Sequence, residues 1–249
     1  MLLLYGGSFD PPHRAHIELP LRIRREVGAE TVAYIPAAMS PLKTERRPTP
    51  AHHRLAMLER ALTGRDDAVV YTLEIEHEIG QAGENRAHAE RQGGNAITPS
   101  YTIDTVRALR KRLPGEVTLR LLIGADQMLL FHKWKDADEL EALAEPLVML
   151  RPPWNEQKLW AEAPPELDRE KWKPRLVTTP MLDVSSSEVR NRLARGEPID
   201  HLVPEPVAEY IQRHGLYTDT DGTQAAGKDE SAANAQKKSR GEPSRPRNK

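Results

Sequence analysis

Short apolar runs alternate with amphipathic segments along most of the chain. Runs with the length of buried strands cover residues 2–5, 31–36, 68–76, 117–126 and 146–152. Apolar residues at helical spacing predict helices over residues 16–27, 51–62, 100–113, 137–146 and 205–215, the first beginning or kinking at Pro20. This alternation predicts an α/β fold with a parallel sheet, helices on both faces and a small C-terminal helical part.

Two segments fall outside this pattern. Residues 79–99 contain four glycines and few large apolar side chains, so we predict a polar surface insertion. A passive loop is preferred there to a lid or a subunit contact. Beyond Tyr217 no aromatic residue and no aliphatic residue larger than alanine follows. We therefore predict one domain over residues 1–217 and a disordered tail over residues 218–249, with a nucleic-acid-binding arm as the less favoured interpretation of the tail.

Composition and charge exclude several classes of protein. The formal net charge of −1 argues against general nucleic-acid binding. The chain has no cysteine, which excludes disulfides, a thiolate nucleophile and cysteine-based zinc sites. No apolar run approaches the roughly 20 residues of a membrane span. We expect a cytoplasmic protein with no membrane and no nucleic-acid partner.

The turn after the first strand, GGSFDPPHRAH, concentrates unusual residues. Gly6 and Gly7 are adjacent, so the spacing matches neither the dinucleotide fingerprint nor a P-loop. His13 and His16 share one face of a first helical turn. The residues alone leave open a plain turn, a His-x-x-His metal pair or a phosphate site. Because strand ends of a parallel sheet converge, GAD after the fourth strand and MSPLK after the second favour a ligand site here.

The same stretch is similar to the nucleotidyltransferase signature G-G-[ST]-F-D-P-x-H-x-G-H. Together with PSYTIDTVRAL, LIGADQMLLFHKW, VSSSEVRNRL and LVPEPVAEYIQRHGLY, it resembles the bacterial nicotinate-nucleotide adenylyltransferase family, in collinear order over residues 2–217. The resemblance implies a Rossmann-like nucleotidyltransferase fold. It also implies that nicotinate mononucleotide attacks the α-phosphorus of ATP, giving deamido-NAD and pyrophosphate. Mg²⁺ is expected because it neutralises triphosphate oxygens, and we expect it to be held mainly through the ATP phosphates, since no convincing set of metal carboxylates appears in the sequence.

The resemblance also assigns residues to roles. Catalytic contacts to phosphate fall to His13, His16, Lys43 and Arg190. ATP binding falls to Gly6, Gly7, Ser8, Phe9, Ser185, Ser186, Ser187 and Asp126, with Phe9 favoured as a core residue. Binding of nicotinate mononucleotide falls to Thr102, Trp134, Lys135 and Arg151.

Two positions depart from the family pattern. Ala15 replaces a usual glycine, which raises the question of crowding at the nucleotide, and Leu42 replaces a frequent histidine. These departures motivate one alternative, a nucleotide-sensing module without turnover. Another is a related adenylyltransferase acting on nicotinamide mononucleotide or phosphopantetheine. The sequence is compatible with a homo-oligomer but does not determine the oligomeric state.

Overall fold

The computed structural model describes residues 1–38, 48–76, 100–165, 167–180 and 182–218. Three of the predictions therefore lie wholly or almost wholly outside the described residues. These are the role of Lys43, the insertion over residues 79–99 and the tail, of which only Thr218 is described.

The described strands form one parallel sheet, in the order β3-β2-β1-β4-β5-β6. They are β1 (Leu2–Gly7), β2 (Thr31–Pro36), β3 (Ala68–Val70), β4 (Leu119–Gly124), β5 (Glu145–Leu150) and β6 (Leu176–Thr178). The central strand β1 places Leu4 beside Ala33 of β2 and Leu121 of β4.

Both faces of the sheet are covered, which explains why β1 is a continuous apolar run. Leu3 and Tyr5 pack in one core cluster, whereas Leu2 and Leu4 pack in a second cluster on the other face. Successive strand residues point to opposite faces, so every position of a doubly covered strand must be apolar. This arrangement confirms the predicted α/β fold.

The helices pack on these two faces. They are α1 (Arg14–Glu26), α2 (Ala51–Ala61), α3 (Thr102–Arg112), α4 (Ala125–Leu129), α5 (Ala137–Leu143), α6 (Glu156–Glu162), α7 (Arg169–Trp172), α8 (Ser186–Ala194) and α9 (Glu205–His214). Two 3₁₀ turns cover Phe131–Lys133 and Lys173–Arg175. None of the helices in the described ranges is long and apolar enough to cross a membrane.

Several element boundaries differ from the sequence prediction. Helix α1 runs without interruption through Pro20, which is buried between Leu19 and Leu21. Tertiary packing of this face outweighs the loss of one helical hydrogen bond. Strand β3 ends at Val70 rather than residue 76, because the chain turns where the Ile75 N–H donates to the Thr72 carbonyl at 2.8 Å.

Some short elements are too short for the sequence pattern to predict. Strand β6 has three residues and pairs with β5 alone. Helices α6 and α7 have seven and four residues, too short to establish a helical period. The GAD segment, predicted as a turn, begins helix α4 at Ala125.

The parallel topology determines where a ligand can bind. Strands β1 and β4 are neighbours although they are far apart in the chain, so the strand order reverses between them. Open α/β sheets bind ligands outside the carboxyl ends of the strands at such a point. Helices α1 and α3, which follow β1 and β3, begin at this edge because a crossover helix must run back toward the start of the next parallel strand.

Candidate active site

A glycine loop opens the site at the end of β1. A Cβ atom on Gly7 would lie 3.0 Å from the ring of Phe9, so a larger residue there would need that ring to shift by a few tenths of an ångström. The ring is 1% exposed, and Phe9 adopts a left-handed backbone with φ of 47°. The side chain of Phe9 is therefore a core element that supports the loop, and any contact of Phe9 with ATP would come from its backbone.

His13 and His16 form a stacked pair at the start of α1. Their ring centroids are 3.6 Å apart, with an angle of 19° between the planes. His13 is 1% exposed, whereas His16 is partly exposed. The Phe9 ring meets His16 edge to face at 5.2 Å. The shared face expected from the i, i+3 spacing is confirmed, and the inner histidine supports the outer one.

The inner histidine is uncharged at neutral pH. Burial, together with the nearby Arg151 guanidinium, lowers the pKa of His13 to about 3. Its Nδ1 atom is buried and has no hydrogen-bond partner among the described residues. A neutral imidazole retains one N–H donor and one acceptor, so His13 is suited to hydrogen bonding rather than to ion pairing.

Asp10 connects the glycine loop to distant parts of the chain. Its backbone carbonyl accepts a hydrogen bond from Nη1 of Arg190 at 2.7 Å. Its Oδ1 accepts from the Tyr217 hydroxyl at 2.7 Å, and its Oδ2 accepts from the Thr49 N–H at 3.3 Å. Burial and the Asp10 carboxylate both raise the pKa of Tyr217. No sequence pattern assigned a role to Tyr217, although it closes the motif YIQRHGLY.

The three serines at the start of α8 form hydrogen bonds within the protein. Ser185 caps the helix, because its Oγ accepts from the Glu188 N–H at 3.1 Å. Ser186 Oγ donates to the Pro11 carbonyl at 2.9 Å, and Ser187 Oγ accepts from Arg190 Nη2 at 3.0 Å. The backbone N–H groups at the start of the helix are natural donors to an anion, and the hydroxyls of Ser185 and Ser187, which accept here, keep their own protons to donate.

Arg54 is a second residue that the sequence analysis overlooked. It is fully buried and donates to three backbone carbonyls: those of Ser8 at 3.0 Å, Ala37 at 2.7 Å and Thr49 at 2.8 Å. These bonds join the glycine loop to the chain beyond β2 and before α2. A signal was present, since Arg54 occupies the apolar stripe of helix α2 with Met57.

Asp126 and Arg151 lie beside this group. Burial raises the pKa of Tyr5 to about 12, with Arg151 lowering it and Asp126 raising it. Because both charges act on Tyr5 in β1, they lie near the end of that strand. A Cβ on Gly124 would lie 2.5 Å from Asp126 Oδ1, so a larger residue there would force the Asp126 side chain to move.

A second group surrounds the start of α3. Lys135 forms an ion pair with Asp104 at 2.9 Å, and its ammonium lies 4.8 Å from the centre of the Tyr101 ring. The preceding Trp134 packs on Phe131 with ring centroids 5.4 Å apart, and its buried Nε1 has no hydrogen-bond partner among the described residues. Thr102 is the first residue of the helix.

The donors at this edge suit an anion better than a metal ion. Among the described residues, no group of three or more His, Asp or Glu side chains could hold a metal ion. The Asp10 carboxylate is engaged by Tyr217 and Thr49. Ala15, the replacement for the usual glycine, is 1% exposed and packs in the core cluster with Phe9.

The structure thus joins the predicted residues into two groups at one edge of the sheet. Direct contacts connect His13 with His16, Ser186 with Pro11, and Arg190 with Asp10. A separate set of contacts connects Lys135 with the start of α3.

Comparison with known proteins agrees with this architecture. Residues 4–192 match the cytidylyltransferase-like family. A protein of Bordetella pertussis named "probable nicotinate-nucleotide adenylyltransferase" is 38% identical over 219 residues, which cover 86% of this chain and 96% of the relative. A protein of Bacillus pumilus with the same name is 31% identical over 214 residues, covering 86% and 96%.

Solved structures show the same fold. Nicotinic acid mononucleotide adenylyltransferase of Plasmodium falciparum, complexed with NaAD, aligns with a TM-score of 0.60 at 18% identity, covering 87% of this chain and 96% of that chain. The family match spans most of the chain, and the curated relatives are matched over nearly their whole length. The chain belongs to the cytidylyltransferase-like family and, within it, to the nicotinate-nucleotide adenylyltransferases.

Proposed function

We propose that this protein transfers the adenylyl group of ATP to nicotinate mononucleotide, giving deamido-NAD and pyrophosphate. The observation that carries the proposal is the convergence of His13, His16, Arg190 and the start of α8 on the glycine loop at the switch point of the sheet. The names of the relatives support nicotinate mononucleotide as the acceptor of the adenylyl group.

ATP is assigned to the side of the site formed by the glycine loop and α8. Three features there favour phosphate oxygens: the partly exposed ring of His16, the Arg190 guanidinium and the N-terminus of α8. Lys43 remains part of the proposal as a further phosphate contact. Mg²⁺ would arrive with ATP, as the MgATP substrate, since oxygen atoms of phosphate and water suit it.

The acceptor is assigned to the group around α3. Trp134 offers a ring on which a pyridine can stack, and the N–H groups of Thr102 and Ile103 precede the first backbone hydrogen bond of α3, which the Asp104 N–H donates to the Tyr101 carbonyl. The Lys135 ammonium, already paired with Asp104, adds positive charge beside that turn. Arg151, close to β1, is assigned to the mononucleotide phosphate.

The reaction needs positioning and charge stabilisation more than proton transfer. One oxygen of the mononucleotide phosphate forms a bond to the α-phosphorus, the bond from that phosphorus to the bridging oxygen of the β-phosphate breaks, and pyrophosphate leaves with the bonding electrons. The nucleophile is already ionised at neutral pH. A neutral His13 and a cationic Arg190 therefore contribute hydrogen bonds and charge to the transferring group.

The test is turnover of the full chain with MgATP and three acceptors: nicotinate mononucleotide, nicotinamide mononucleotide and phosphopantetheine. We expect pyrophosphate release with a kcat/KM at least about tenfold higher for the acid mononucleotide than for its amide. A preference for nicotinamide mononucleotide, or turnover with phosphopantetheine alone, would show that nicotinate mononucleotide is not the preferred acceptor. Binding of ATP without turnover of any acceptor would make the protein a nucleotide sensor.

Location and partners complete the proposal. We propose a cytoplasmic location, with which the absence of cysteine is compatible, and the two small-molecule substrates as partners, with neither nucleic acid nor membrane.

A further inference from the structure

Glu74 is a carboxylate held between two hydroxyl groups. It lies four residues beyond the end of β3, at the same edge of the sheet as the site, and is partly buried. The Ser100 hydroxyl donates to its Oε2, and the Thr105 hydroxyl donates to its Oε1 at 2.8 Å. Burial raises the pKa of Glu74, while these two hydrogen bonds oppose the rise. Glu74 lies outside the sequence motifs named above and has no role in the proposed mechanism.

The two hydroxyls bracket the first turn of α3. Ser100 lies immediately before Tyr101, the residue at the N-cap, and Thr105 is the fourth residue of the helix. One carboxylate from the end of β3 therefore holds this turn on both sides. Thr105 is only 6% exposed, so its hydroxyl is held close to the core and has little freedom to find another acceptor.

This turn is the part of the protein to which the proposed function assigns the acceptor's carboxylate. The first N–H groups of a helix have no carbonyl of their own helix to bond, so their direction decides which ligand they hold. Small displacements of positioning groups reduce binding and rate strongly. The hydrogen bonds of Glu74 therefore hold this turn against the segment that follows β3.

We propose that Glu74 is a positioning residue for acceptor recognition, which fixes the first turn of α3 so that its N–H groups hold the carboxylate of the pyridine ring. This inference rests on the proposed function. It distinguishes Glu74 from the residues around ATP, because its contacts go to α3 and not to the glycine loop.

The experiment compares Glu74→Ala, Thr105→Val and Thr105→Ser in the full chain, with Glu76→Gln as a matched control in an exposed neighbour. KM and kcat are measured separately for MgATP and nicotinate mononucleotide. In Glu74→Ala and Thr105→Val, KM for the mononucleotide should rise about tenfold, whereas KM for ATP and kcat stay within about twofold. Thr105→Ser keeps the hydroxyl and should behave like wild type, as should Glu76→Gln.

A second readout separates positioning from general support of the fold. The preference for the acid over the amide mononucleotide should fall in Glu74→Ala and Thr105→Val, since only the acid needs the oriented N–H groups. Equal rises in both KM values, no change in either, or an unchanged acid preference would overturn the inference. If Glu74→Ala does not fold, the valine and serine variants at position 105 still decide the question. Failure of the proposed function would appear differently, as absence of turnover in the wild-type chain.

Discussion

The buried His13 makes the stability of the protein sensitive to acid. Its pKa in the folded protein is about 3, against 6.5 for an ordinary histidine, because burial and Arg151 oppose the charged form. Below pH 6.5 the unfolded chain therefore binds a proton at this position that the folded protein does not. Stability falls as pH decreases from about 7 toward 3, and below that this contribution no longer changes.

The magnitude follows from the two pKa values. One unit of pKa corresponds to 1.36 kcal/mol, so the complete effect is about 5 kcal/mol. Between pH 7 and pH 5 the loss from this single ring is about 2 kcal/mol, a large share of the stability of an ordinary domain. The measurement is the free energy of unfolding in urea at pH 7, 6 and 5, for wild type and His13→Gln.

The glutamine variant lacks the titrating ring and keeps a polar side chain of similar length. Its loss of unfolding free energy from pH 7 to pH 5 should be smaller than that of wild type by about 2 kcal/mol, because the other histidines contribute equally to both proteins. Equal losses in the two proteins, or an NMR titration that gives His13 a pKa near 6, would refute the reasoning.

Other contacts at the site give further predictions. Tyr217→Phe removes a hydrogen bond to the buried Asp10 carboxylate and should lower stability by about 2 kcal/mol and Tm by about 4–8 °C, measured by calorimetry. Arg54→Met leaves three backbone carbonyls without their donor and should lower the free energy of unfolding by about 3–5 kcal/mol in urea titrations. Arg190→Lys keeps the charge but cannot span its two partners, so kcat should fall on the order of 100-fold. His16→Ala should reduce kcat on the order of 100-fold while calorimetric binding of ATP changes little.

The controls for these variants use exposed positions. His201→Ala removes an exposed histidine. It should leave kcat unchanged and the free energy of unfolding unchanged within about 0.5 kcal/mol. If His16→Ala weakens ATP binding as much as it slows turnover, the histidine acts in uniform binding rather than on the transition state. A wild-type Tm in Tyr217→Phe would show that the hydroxyl adds nothing to the fold.

The central strands and the first turn of the site were predictable because their signals are local. A doubly covered strand such as β1 must be apolar throughout, and the i, i+3 spacing alone places His13 over His16. Short edge elements such as β6 were not predictable, since three residues carry no period and their strand character depends on the neighbouring β5.

The supporting residues of the site were missed for a different reason. Arg54, Glu74 and Tyr217 act through partners between 5 and 207 positions away, and most of those partners are distant in sequence. The residues next to Glu74 in the sequence do not indicate that its carboxylate accepts a hydrogen bond from Thr105. Such contacts arise only from the fold. Sequence patterns therefore indicate the residues proposed to contact substrate, but not the supporting residues that hold them in place.

The bond between Asp10 and Tyr217 also has a consequence for how the protein is made. The two residues are separated by 207 positions. At about 5–20 residues per second, a ribosome adds Tyr217 on the order of 10–40 s after Asp10. The loop after β1 is therefore synthesised well before its hydroxyl partner, and the bond between Asp10 and Tyr217 can form only after that interval. Throughout that interval the growing chain carries the loop without the hydrogen bond that Tyr217 donates to its Asp10 carboxylate.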